Sequence, residues 1–545
     1  MFAKKVEQNR QLLYKFPLRG DNRHGVTGMF DKAVVIVFVF IVGWITVFMG
    51  LQHLTRRESY ITHIVINTDH LVHRTDERFL SVALDTSLIQ DSWVHKNIKS
   101  DMLLNLAAQL APAYLRIGGT LADRLIFEPD ANYSPVRLKS NMSDGGMCSY
   151  EGKGCAHQNL NFFNMTGVDW VALNRFAQAA RFELLFDLNV LLRNGTQWDS
   201  SNARQLLDFS DRLRFNITWQ LGNEPNSFRH VFGVSLSGSQ LGLDFVQLRH
   251  LLNSYPRYSK SPLVGPDVTR PIMHQMGEQP LPYLKSFLAQ TSNVISAITW
   301  HQYYLNGKEA KLNDFVSPNV LNVLACQITA VRNTTAGIHL PMWLSETGSA
   351  YGGGAPGLSD SYVAGFLWLD KLGLTARLGI DVVVRQSLFG GNYGLLDSAM
   401  EPLPDWWVSV LYKKLVGPGV LNVTGDNIVE TSCLGEQGPV RLYCHCSRLQ
   451  GAVTLFGINI MTRVSEVMVT GSPTSDSVLA YELTADILRS RHIFLNGGEL
   501  HLNPDGSLPP FEPKHINMTK PLIMPPLSMV FWVIQEVHVP ACKGQ

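Results

Sequence analysis

Two glutamates, Glu224 and Glu346, each end a short apolar run and are followed by turn residues. The runs read Trp219-Gln-Leu-Gly-Asn-Glu-Pro-Asn and Trp343-Leu-Ser-Glu-Thr-Gly-Ser. A carboxylate at the C-terminal end of a strand lies where a parallel β/α barrel places its catalytic groups. Two such carboxylates in one cleft can cleave a glycosidic bond, one as proton donor and one at the anomeric carbon. The pattern predicts a glycosidase, and a surface or salt-bridged glutamate is the alternative at either position.

Short apolar runs alternate with helical patterns between about residues 79 and 414. Eight of these runs are strand candidates, which begin at Phe79, Ala113, Glu183, Asn216, Leu263, Ala297, Pro341 and Val382. Strand–helix alternation is typical of a parallel sheet, and eight units indicate a closed barrel. After about residue 415, strands are separated by Gly, Pro and Asn turns with little helix, which indicates a β-sandwich. The predicted fold class is therefore α/β, a (β/α)8 TIM barrel at 79–414 with a C-terminal β-sandwich at 415–545.

The remaining segments are a polar tail, an apolar segment, a stem and a loop. Residues 52–78 form a short stem whose strand-like alternation indicates a strand that could join the sandwich, and about 128–166 is predicted to be an exposed loop inserted into the barrel. The chain has 545 residues, of which 45% are hydrophobic and 17% charged, so it is globular and long enough for one large or two linked domains. Its net charge of +1 argues against a nucleic-acid partner.

Residues 33–51 contain no charged side chain and would reach ~28 Å as a helix, about the width of a bilayer core. Basic residues are concentrated in the preceding tail, 1–32, which predicts a cytosolic N-terminus and a single-pass type II membrane protein. The catalytic part would then be lumenal or extracellular, in the Golgi, the lysosome or at the cell surface; secretion after signal cleavage is the alternative. Seven Asn-x-Ser/Thr sites are predicted to be glycosylated: Asn141, Asn164, Asn194, Asn216, Asn333, Asn422 and Asn517.

Seven cysteines in an oxidising compartment would leave one unpaired. Cys446 is predicted to pair with Cys542, which would fasten the chain end to a strand, and Cys433 with Cys444 across a hairpin. Cys148 and Cys155 would close a Gly-rich loop, and Cys326, within an apolar run, would be the buried free thiol. The Cys444-His-Cys446 spacing could be half of a metal site, but no second Cys/His cluster completes it, so no metal is predicted.

Several long motifs resemble the heparanase-like endo-β-glucuronidases of glycoside hydrolase family 79. They span residues 114–120, 221–228, 300–307, 345–356, 365–374 and 402–407, and the resemblance covers roughly residues 79–545. It implies a (β/α)8 barrel with a β-sandwich, no cofactor, and a glycosaminoglycan substrate. It also implies that Glu224 is the acid/base and Glu346 the nucleophile of a retaining, double-displacement reaction.

The resemblance further implies a set of substrate-binding residues. Tyr303 would steady the nucleophile, His301 would line the cleft, and the amides of Gly352 and Gly353 would meet a uronate carboxylate that Tyr393 also contacts. The other substrate-binding positions are Asp85, Thr120, Asn223, Arg270, Lys308 and Gln386; the amide of Asn223 could bind a sugar 2-hydroxyl. His301 and Tyr303 could instead be core residues, the glycines could form a plain loop, and Arg116 could pair with a cleft carboxylate or serve a structural ion pair.

Basic residues are sparse where a sulfated chain would need them. Residues 269–276 contain one arginine, Arg270, and residues 156–163 contain no lysine or arginine, whereas sulfate recognition uses Arg and Lys contacts. Heparan sulfate is the substrate that the resemblance implies, and hyaluronan is the alternative. A non-catalytic glycan-binding relative is the alternative from another class.

Overall fold

The barrel strands are short runs whose residues are almost all buried, as expected when a parallel sheet has helices on one side and a filled interior on the other. The computed structural model describes residues 59–94, 98–130, 162–271, 280–426 and 438–543. In chain order the strands as far as the end of the barrel are β1 (Tyr60–Arg74), β2 (Leu80–Asp85), β3 (Ala113–Gly118), β4 (Leu125–Glu128), β5 (Phe163–Thr166), β6 (Phe182–Leu188), β7 (Arg193–Asn194), β8 (Gln197–Trp198), β9 (Ile217–Leu221), β10 (Val264–Val268), β11 (Ala297–Asn306), β12 (Met342–Tyr351) and β13 (Val382–Arg385).

Eight of these strands form a parallel barrel in the order β10-β11-β12-β13-β2-β3-β6-β9. A parallel bridge between Trp219 of β9 and Leu263, just before β10, links the two ends. The predicted eight-stranded parallel barrel is therefore confirmed. Strands β11 and β12 are longer than predicted, because their ladder continues from the pair His301–Glu346 to the pair Asn306–Tyr351. As a result Glu346 lies inside a strand and not after it.

A helix follows each of the eight barrel strands in the chain. They are α1 (Asp101–Ala108), α2 (Gly167–Ala179), α3 (Ser201–Arg212), α4 (Gly238–Asn253), α5 (Pro280–Thr291), α6 (Pro318–Thr334), α7 (Ala364–Arg377) and α8 (Pro404–Leu415), with short helices at Ser87–Gln90 and Phe228–Val231 and 3-10 turns at Thr120–Arg124, Pro225–Ser227, Leu312–Val316 and Pro540–Cys542. Helix α2 begins with a capping box, in which Thr166 and Asp169 satisfy each other's backbone amides. Helix α3 buries residues at helical spacing, Ala203, Leu206, Leu207 and Ser210.

The C-terminal part is rich in strands, as the Gly/Pro-punctuated sequence predicts. Its strands are β14 (Val416–Gly425), β15 (Val440–Ser447), β16 (Val453–Asn459), β17 (Ser465–Val469), β18 (Val478–Thr484), β19 (Phe494–Leu495), β20 (Gly498–Glu499), β21 (Lys514–Ile516), β22 (Leu522–Met524) and β23 (Ser528–Ile534). Together with β1 they form one hydrogen-bonded sheet of eleven strands, in which β1 lies between β14 and β17. The stem strand is thus part of this sheet.

Helix α7 lies between the barrel and the C-terminal sheet. Every residue from Ala364 to Ala376 is buried. On one side Asp370 accepts hydrogen bonds from Arg441 Nε and from the hydroxyl of Tyr443, both on β15. On the other, Lys371 Nζ donates to the Thr347 hydroxyl and to the Gly348 carbonyl of β12.

The cysteines follow the prediction in part. Cys446 and Cys542 form a disulfide with Cα atoms 5.6 Å apart. The predicted pairing of Cys433 with Cys444 is wrong, since Cys444 is a free thiol whose side chain faces the apolar core of the sheet. The prediction that Cys326 is free is also wrong: it is disulfide-bonded. Cys148, Cys155 and Cys433 lie outside the described residues.

The predicted glycosylation sites differ in exposure. Asn194, Asn216, Asn333 and Asn517 are exposed, Asn164 and Asn422 are half-buried, and Asn141 lies outside the described residues. In the part of the chain that the structure describes, no helix is long and apolar enough to cross a bilayer. The predicted anchor at 33–51 falls outside that part, so the anchor and the location of the protein stay predictions.

Candidate active site

Glu224 follows β9 in a sharp turn. Gly222 and Glu224 both have left-handed backbone conformations, with φ of +84° and +51°, and Pro225 then opens a 3-10 turn. The amide of Glu224 donates to the carbonyl of Asp267, which ties the turn to β10. A non-glycine residue in this backbone region stores strain, which is common where a side chain must point into a site. The side chain of Glu224 is 28% exposed and can reach a ligand.

Glu346 projects from β12 and is held at both carboxylate oxygens. Its Oε1 accepts a hydrogen bond of 2.7 Å from the hydroxyl of Tyr303, and its Oε2 accepts one of 2.9 Å from Nη1 of Arg116. Its side chain is only 11% exposed. The carboxylate is therefore fixed in direction, as a group that must attack one carbon atom requires.

His301 lies close to both carboxylates and faces them with the same nitrogen. Its Nδ1 is 2.9 Å from Glu224 Oε1 and 4.0 Å from Glu346 Oε1, so these oxygens are at most about 6.9 Å apart, the sum of the two distances. Its Nε2 is 3.4 Å from Asp267 Oδ2. Burial disfavours the charged imidazole, but the charge of Glu346 and the contacts with Asp267 and Glu224 outweigh it and raise the pKa of His301 to about 10.

Arg116 of β3 connects most of the polar groups beneath the cleft. Besides Glu346, its guanidinium donates from Nε to Gln220 Oε1 at 2.9 Å, and from Nη2 to Asn223 Oδ1 at 2.8 Å and to Asp267 Oδ2 at 2.7 Å. Arg116 is fully buried. Although burial disfavours the charge of Asp267, Arg116 lowers the pKa of that carboxyl below its ordinary value, so the two form a buried ion pair.

Two glycines make room for this arrangement. A Cβ on Gly118 would lie 2.5 Å from Cζ of Arg116, and one on Gly119, whose φ is +103°, would lie 2.4 Å from Oδ2 of Asp85. The amide of Gly119 also donates to Asn223 Oδ1. The Arg-Ile-Gly-Gly sequence of β3 thus lets the guanidinium fold back under the strand end.

Some of the predicted substrate-binding residues lie near the two carboxylates, and a second group lies next to them. Around the carboxylates lie Asn223, His301 and Tyr303. Just after β13, Gln386 Nε2 donates to Asp85 Oδ2 of β2 at 3.1 Å, and in the turn that follows the ring of Tyr393 lies 6.3 Å from that of Tyr303. Burial is the main cause of a raised pKa at Asp85 and at Tyr393.

Other predicted positions have open surroundings. Gly352 and Gly353 have positive φ values and nothing within 4 Å of an added Cβ. Arg270 Nη1 donates to the carbonyl of Tyr303 at 2.9 Å, and its guanidinium lies over the ring of Tyr351. Thr120 and Lys308 are exposed, and among the described residues no hydrogen bond or ion pair joins either side chain to the two carboxylates.

Several residues of the site are absent from the sequence prediction. Asp267 is the most connected of them, because it also accepts from Gln220 Nε2 and from the Ser345 hydroxyl. Asp123 accepts from the amide of Asn223, and Asp187 lies 3.6 Å from Arg116 Nη2. The position of Asp267 and Asp187 at strand ends is the signal that could have found them. Among the described residues, no group of three or more His, Cys, Asp or Glu side chains is placed to hold a metal ion.

The N-terminal domain model of glycosyl hydrolase family 79 matches residues 62–373, more than half of the chain. The chain belongs to glycoside hydrolase family 79. As a member of family 79 it is a glycoside hydrolase, which agrees with two carboxylates at the mouth of a barrel.

Relatives in the family carry different names. The heparanase of Gallus gallus is 39% identical over 504 residues, which cover 85% of this chain and 93% of that protein. The inactive heparanase-2 of Homo sapiens is 32% identical over 89% of this chain and 90% of its own length. The hyaluronoglucuronidase of Hirudo nipponia is 30% identical over 88% of this chain and 99% of its own length.

A solved structure has the same fold. The 4-O-α-L-rhamnosyl-β-D-glucuronidase of Fusarium oxysporum superposes with a TM-score of 0.62 at 15% identity, covering 87% of this family 79 chain and all of that one.

Proposed function

We propose that this protein is a retaining endo-β-glucuronidase that cleaves internal glucuronosyl bonds of a glycosaminoglycan, with heparan sulfate as its substrate. The observation that carries the proposal is the placement of Glu224 and Glu346 beside the same nitrogen, Nδ1 of His301. Their Oε1 atoms are at most about 6.9 Å apart, a limit that is compatible with the ~5–5.5 Å of retaining enzymes and lies near the lower end of the ~6.5–9.5 Å of inverting ones.

In the first step Glu224 donates its proton to the glycosidic oxygen while an oxygen of Glu346 attacks the anomeric carbon. The bond to the leaving sugar breaks, and a covalent glycosyl ester forms on Glu346. In the second step Glu224, now a carboxylate, takes a proton from water, whose oxygen attacks the same carbon and releases Glu346. Two inversions give retention of configuration.

The surrounding residues take their roles from their positions. Tyr303 and Arg116 aim the nucleophile, and Asn223, held through its carbonyl oxygen, can present its NH2 group to the sugar 2-hydroxyl. Asp85, Gln386 and Tyr393 line the same end of the cleft. The open amides of Gly352 and Gly353 are suited to a uronate carboxylate, and Thr120, Arg270 and Lys308 to flanking sugars.

Hyaluronan, which is not sulfated, is the second candidate. Nη1 of Arg270 donates hydrogen bonds to the carbonyl oxygens of Tyr303 and Tyr304. Arg270 therefore has fewer donors left for a sulfate. The similarity to a protein named hyaluronoglucuronidase agrees with this second candidate. A non-catalytic glycan-binding protein is the candidate from another class, and similarity to an inactive relative agrees with it; the paired, firmly held carboxylates favour an enzyme.

The test is digestion of heparan sulfate, hyaluronan and highly sulfated heparin by the purified full chain, with products measured by size. We expect heparan sulfate to be cut, and unsulfated regions to be cut at least as well as highly sulfated ones, with only a modest effect of salt on KM. A strong preference for heparin that salt abolishes would contradict the weak sulfate recognition, and cleavage of hyaluronan alone would select the second candidate.

Glu346→Gln should abolish turnover, because an amide cannot form the glycosyl ester. Glu309→Gln is the matched control, since Glu309 is exposed on the turn after β11. Activity of Glu346→Gln within tenfold of the unaltered chain would remove Glu346 from the nucleophile role. Binding without cleavage by the unaltered chain would instead support the non-catalytic alternative.

A further inference from the structure

Asp187 at the C-terminal end of β6 is a buried carboxyl that the reaction scheme does not use. Asp187 is fully buried, and neither of its carboxyl oxygens has a hydrogen-bond partner among the described residues. The nearest positive group is Arg116, whose Nη2 lies 3.6 Å from Asp187 Oδ2. A charged carboxyl group that is buried without a hydrogen-bond partner lowers the stability of the fold.

Arg116 cannot satisfy Asp187 without giving up another partner. A guanidinium Nη2 carries two hydrogens, and both are used, one by Asn223 Oδ1 and one by Asp267 Oδ2. Asp187 therefore competes with Asn223 and Asp267 for the two hydrogens of Arg116 Nη2. Asn223 is one of the proposed substrate-binding residues.

The charged groups around Asp187 come from four elements. They are Arg116 on β3, Asp123 in the turn after β3, Asp267 on β10 and His301 on β11. Burial and the neighbouring Asp123 raise the pKa of Asp187 well above its ordinary value, against the opposing effect of Arg116 and His301. Asp187 thus keeps its proton under acidic conditions, when the charges of Arg116 and His301 are balanced by those of Asp267 and Glu346.

We propose that Asp187 is a positioning residue that confines catalysis to acidic conditions. This inference rests on the proposed glucuronidase function. While the carboxyl is neutral, Arg116 holds Asn223 and Glu346 together. When the carboxyl loses its proton, the new charge draws Nη2 of Arg116 toward Asp187 and away from Asn223 Oδ1. The amide of Asn223 then loses the partner that orients it, and its contact with the sugar 2-hydroxyl, which strengthens in the transition state, is weakened.

The test compares Asp187→Asn with the unaltered full chain in kcat and KM on heparan sulfate and on hyaluronan between pH 4 and pH 8. Asparagine has the same shape and cannot ionise. We expect kcat within about threefold of the unaltered chain at pH 5, and a fall in kcat with rising pH that begins at least one pH unit later. Asp208→Asn, an exposed aspartate on α3, should follow the unaltered chain throughout.

Two outcomes would overturn the proposal. One is a pH profile of Asp187→Asn that superimposes on that of the unaltered chain. The other is a loss of activity by the same factor at every pH, which indicates a merely structural role.

Thermal unfolding gives a readout that does not depend on cleavage. The unaltered chain should lose more Tm between pH 5 and pH 7.5 than Asp187→Asn does, and an equal loss would also overturn the proposal. If neither polysaccharide is cut by the unaltered chain, the proposed function fails, while this measurement still decides whether Asp187 titrates as described. Should Asp187→Asn not fold, Asp187→Ala takes its place in both measurements.

Discussion

Tyr303 and Tyr304 show how differently two adjacent side chains serve this site. The hydroxyl of Tyr303 donates to Glu346, the proposed nucleophile, whereas that of Tyr304 has no hydrogen-bond partner among the described residues. Tyr304 instead places its ring 4.6 Å from Nζ of Lys371. Burial and the charge of Glu346 raise the pKa of Tyr303 far above its usual value, so Tyr303 remains a donor at every working pH.

Replacement of Tyr303 by phenylalanine should lower kcat by about 10- to 100-fold and change KM little. A hydrogen bond to a charged group contributes ~1.5–3 kcal/mol, and here it aims the attacking oxygen. Steady-state kinetics on the polysaccharide that the unaltered chain cuts would measure this. Tyr304→Phe is the matched control and should keep kcat within about threefold; equal effects of the two changes would argue against a role for the Tyr303 hydroxyl.

At the residue scale, site residues that stand in a local sequence motif could be predicted. Site residues that become neighbours only when the chain folds could not. Glu224 and Glu346 stand in recognisable sequence motifs. Asp267 stands after Gly265-Pro266 without a motif, and only the barrel brings it to Arg116, 151 residues earlier in the chain. Cysteine pairing is predicted in part: the pair Cys446–Cys542 is confirmed, but the sequence does not show that Cys444, two residues away on the same face of β15, remains a free thiol.

At the element scale, the joint between barrel and C-terminal sheet depends on a buried ion pair. Arg441 of β15 and Asp370 of α7 are 1% and 0% exposed, and Arg441 Nη1 also donates to Asn322 Oδ1 of α6 at 2.7 Å. Removal of one partner of such a pair leaves an uncompensated buried charge.

Arg441→Met should therefore lower the free energy of unfolding by roughly 3–5 kcal/mol. Denaturant unfolding of the full chain, monitored by fluorescence, would measure it. Arg448→Met is the control, because Arg448 pairs with Glu77 at the surface, where both side chains are at least one-third exposed, and should cost less than ~1 kcal/mol. Similar losses for both variants would show that the buried pair is no more important than the exposed one.

The barrel strands could be predicted because each is a compact apolar run between helical patterns. The lengths of β11 and β12 could not, since their ends carry polar and glycine residues, such as Thr347 and Gly348, that remain paired only because the neighbouring strand continues beside them. The place of β1 beside β14 and β17 is a long-range pairing, and local alternation of side chains does not specify the partner of a strand.

For the whole molecule, buried carboxyl groups make acidic conditions favourable. Burial raises the pKa of Asp85, Asp187 and Asp405, and it raises the pKa of Asp123 to about 7. The unfolded chain releases these protons at about pH 4, so between about pH 4 and pH 7 the folded state binds more protons. The stability that these four groups contribute is then lost as pH rises.

His445 acts in the opposite direction. Burial lowers its pKa to about 4, so its contribution to stability is lost as pH falls through the range from about 6.5 to about 4. Burial also lowers the pKa of Lys371 and of Lys413, so these two lysines act with His445. His301, whose pKa is raised to about 10, acts with the four carboxyls, and five groups against three leave a net preference for acid. We expect a higher Tm at pH 5 than at pH 7.5, measured by calorimetry at constant ionic strength; a Tm that rises steadily to pH 7.5 would contradict it.

The complete enclosure of helix α7 has a consequence for hydrogen exchange. A helix whose residues 364–376 are all buried has no solvent-facing side from which single turns can open, and it is packed between the two halves of the fold. Its amide protons can exchange only when barrel and sheet come apart. In deuterium the peptides of α7 should be the last to gain mass, at the rate of global unfolding, well after those of helix α3, which has one exposed face. If α7 exchanges as early as α3, the barrel and the C-terminal sheet open independently of each other.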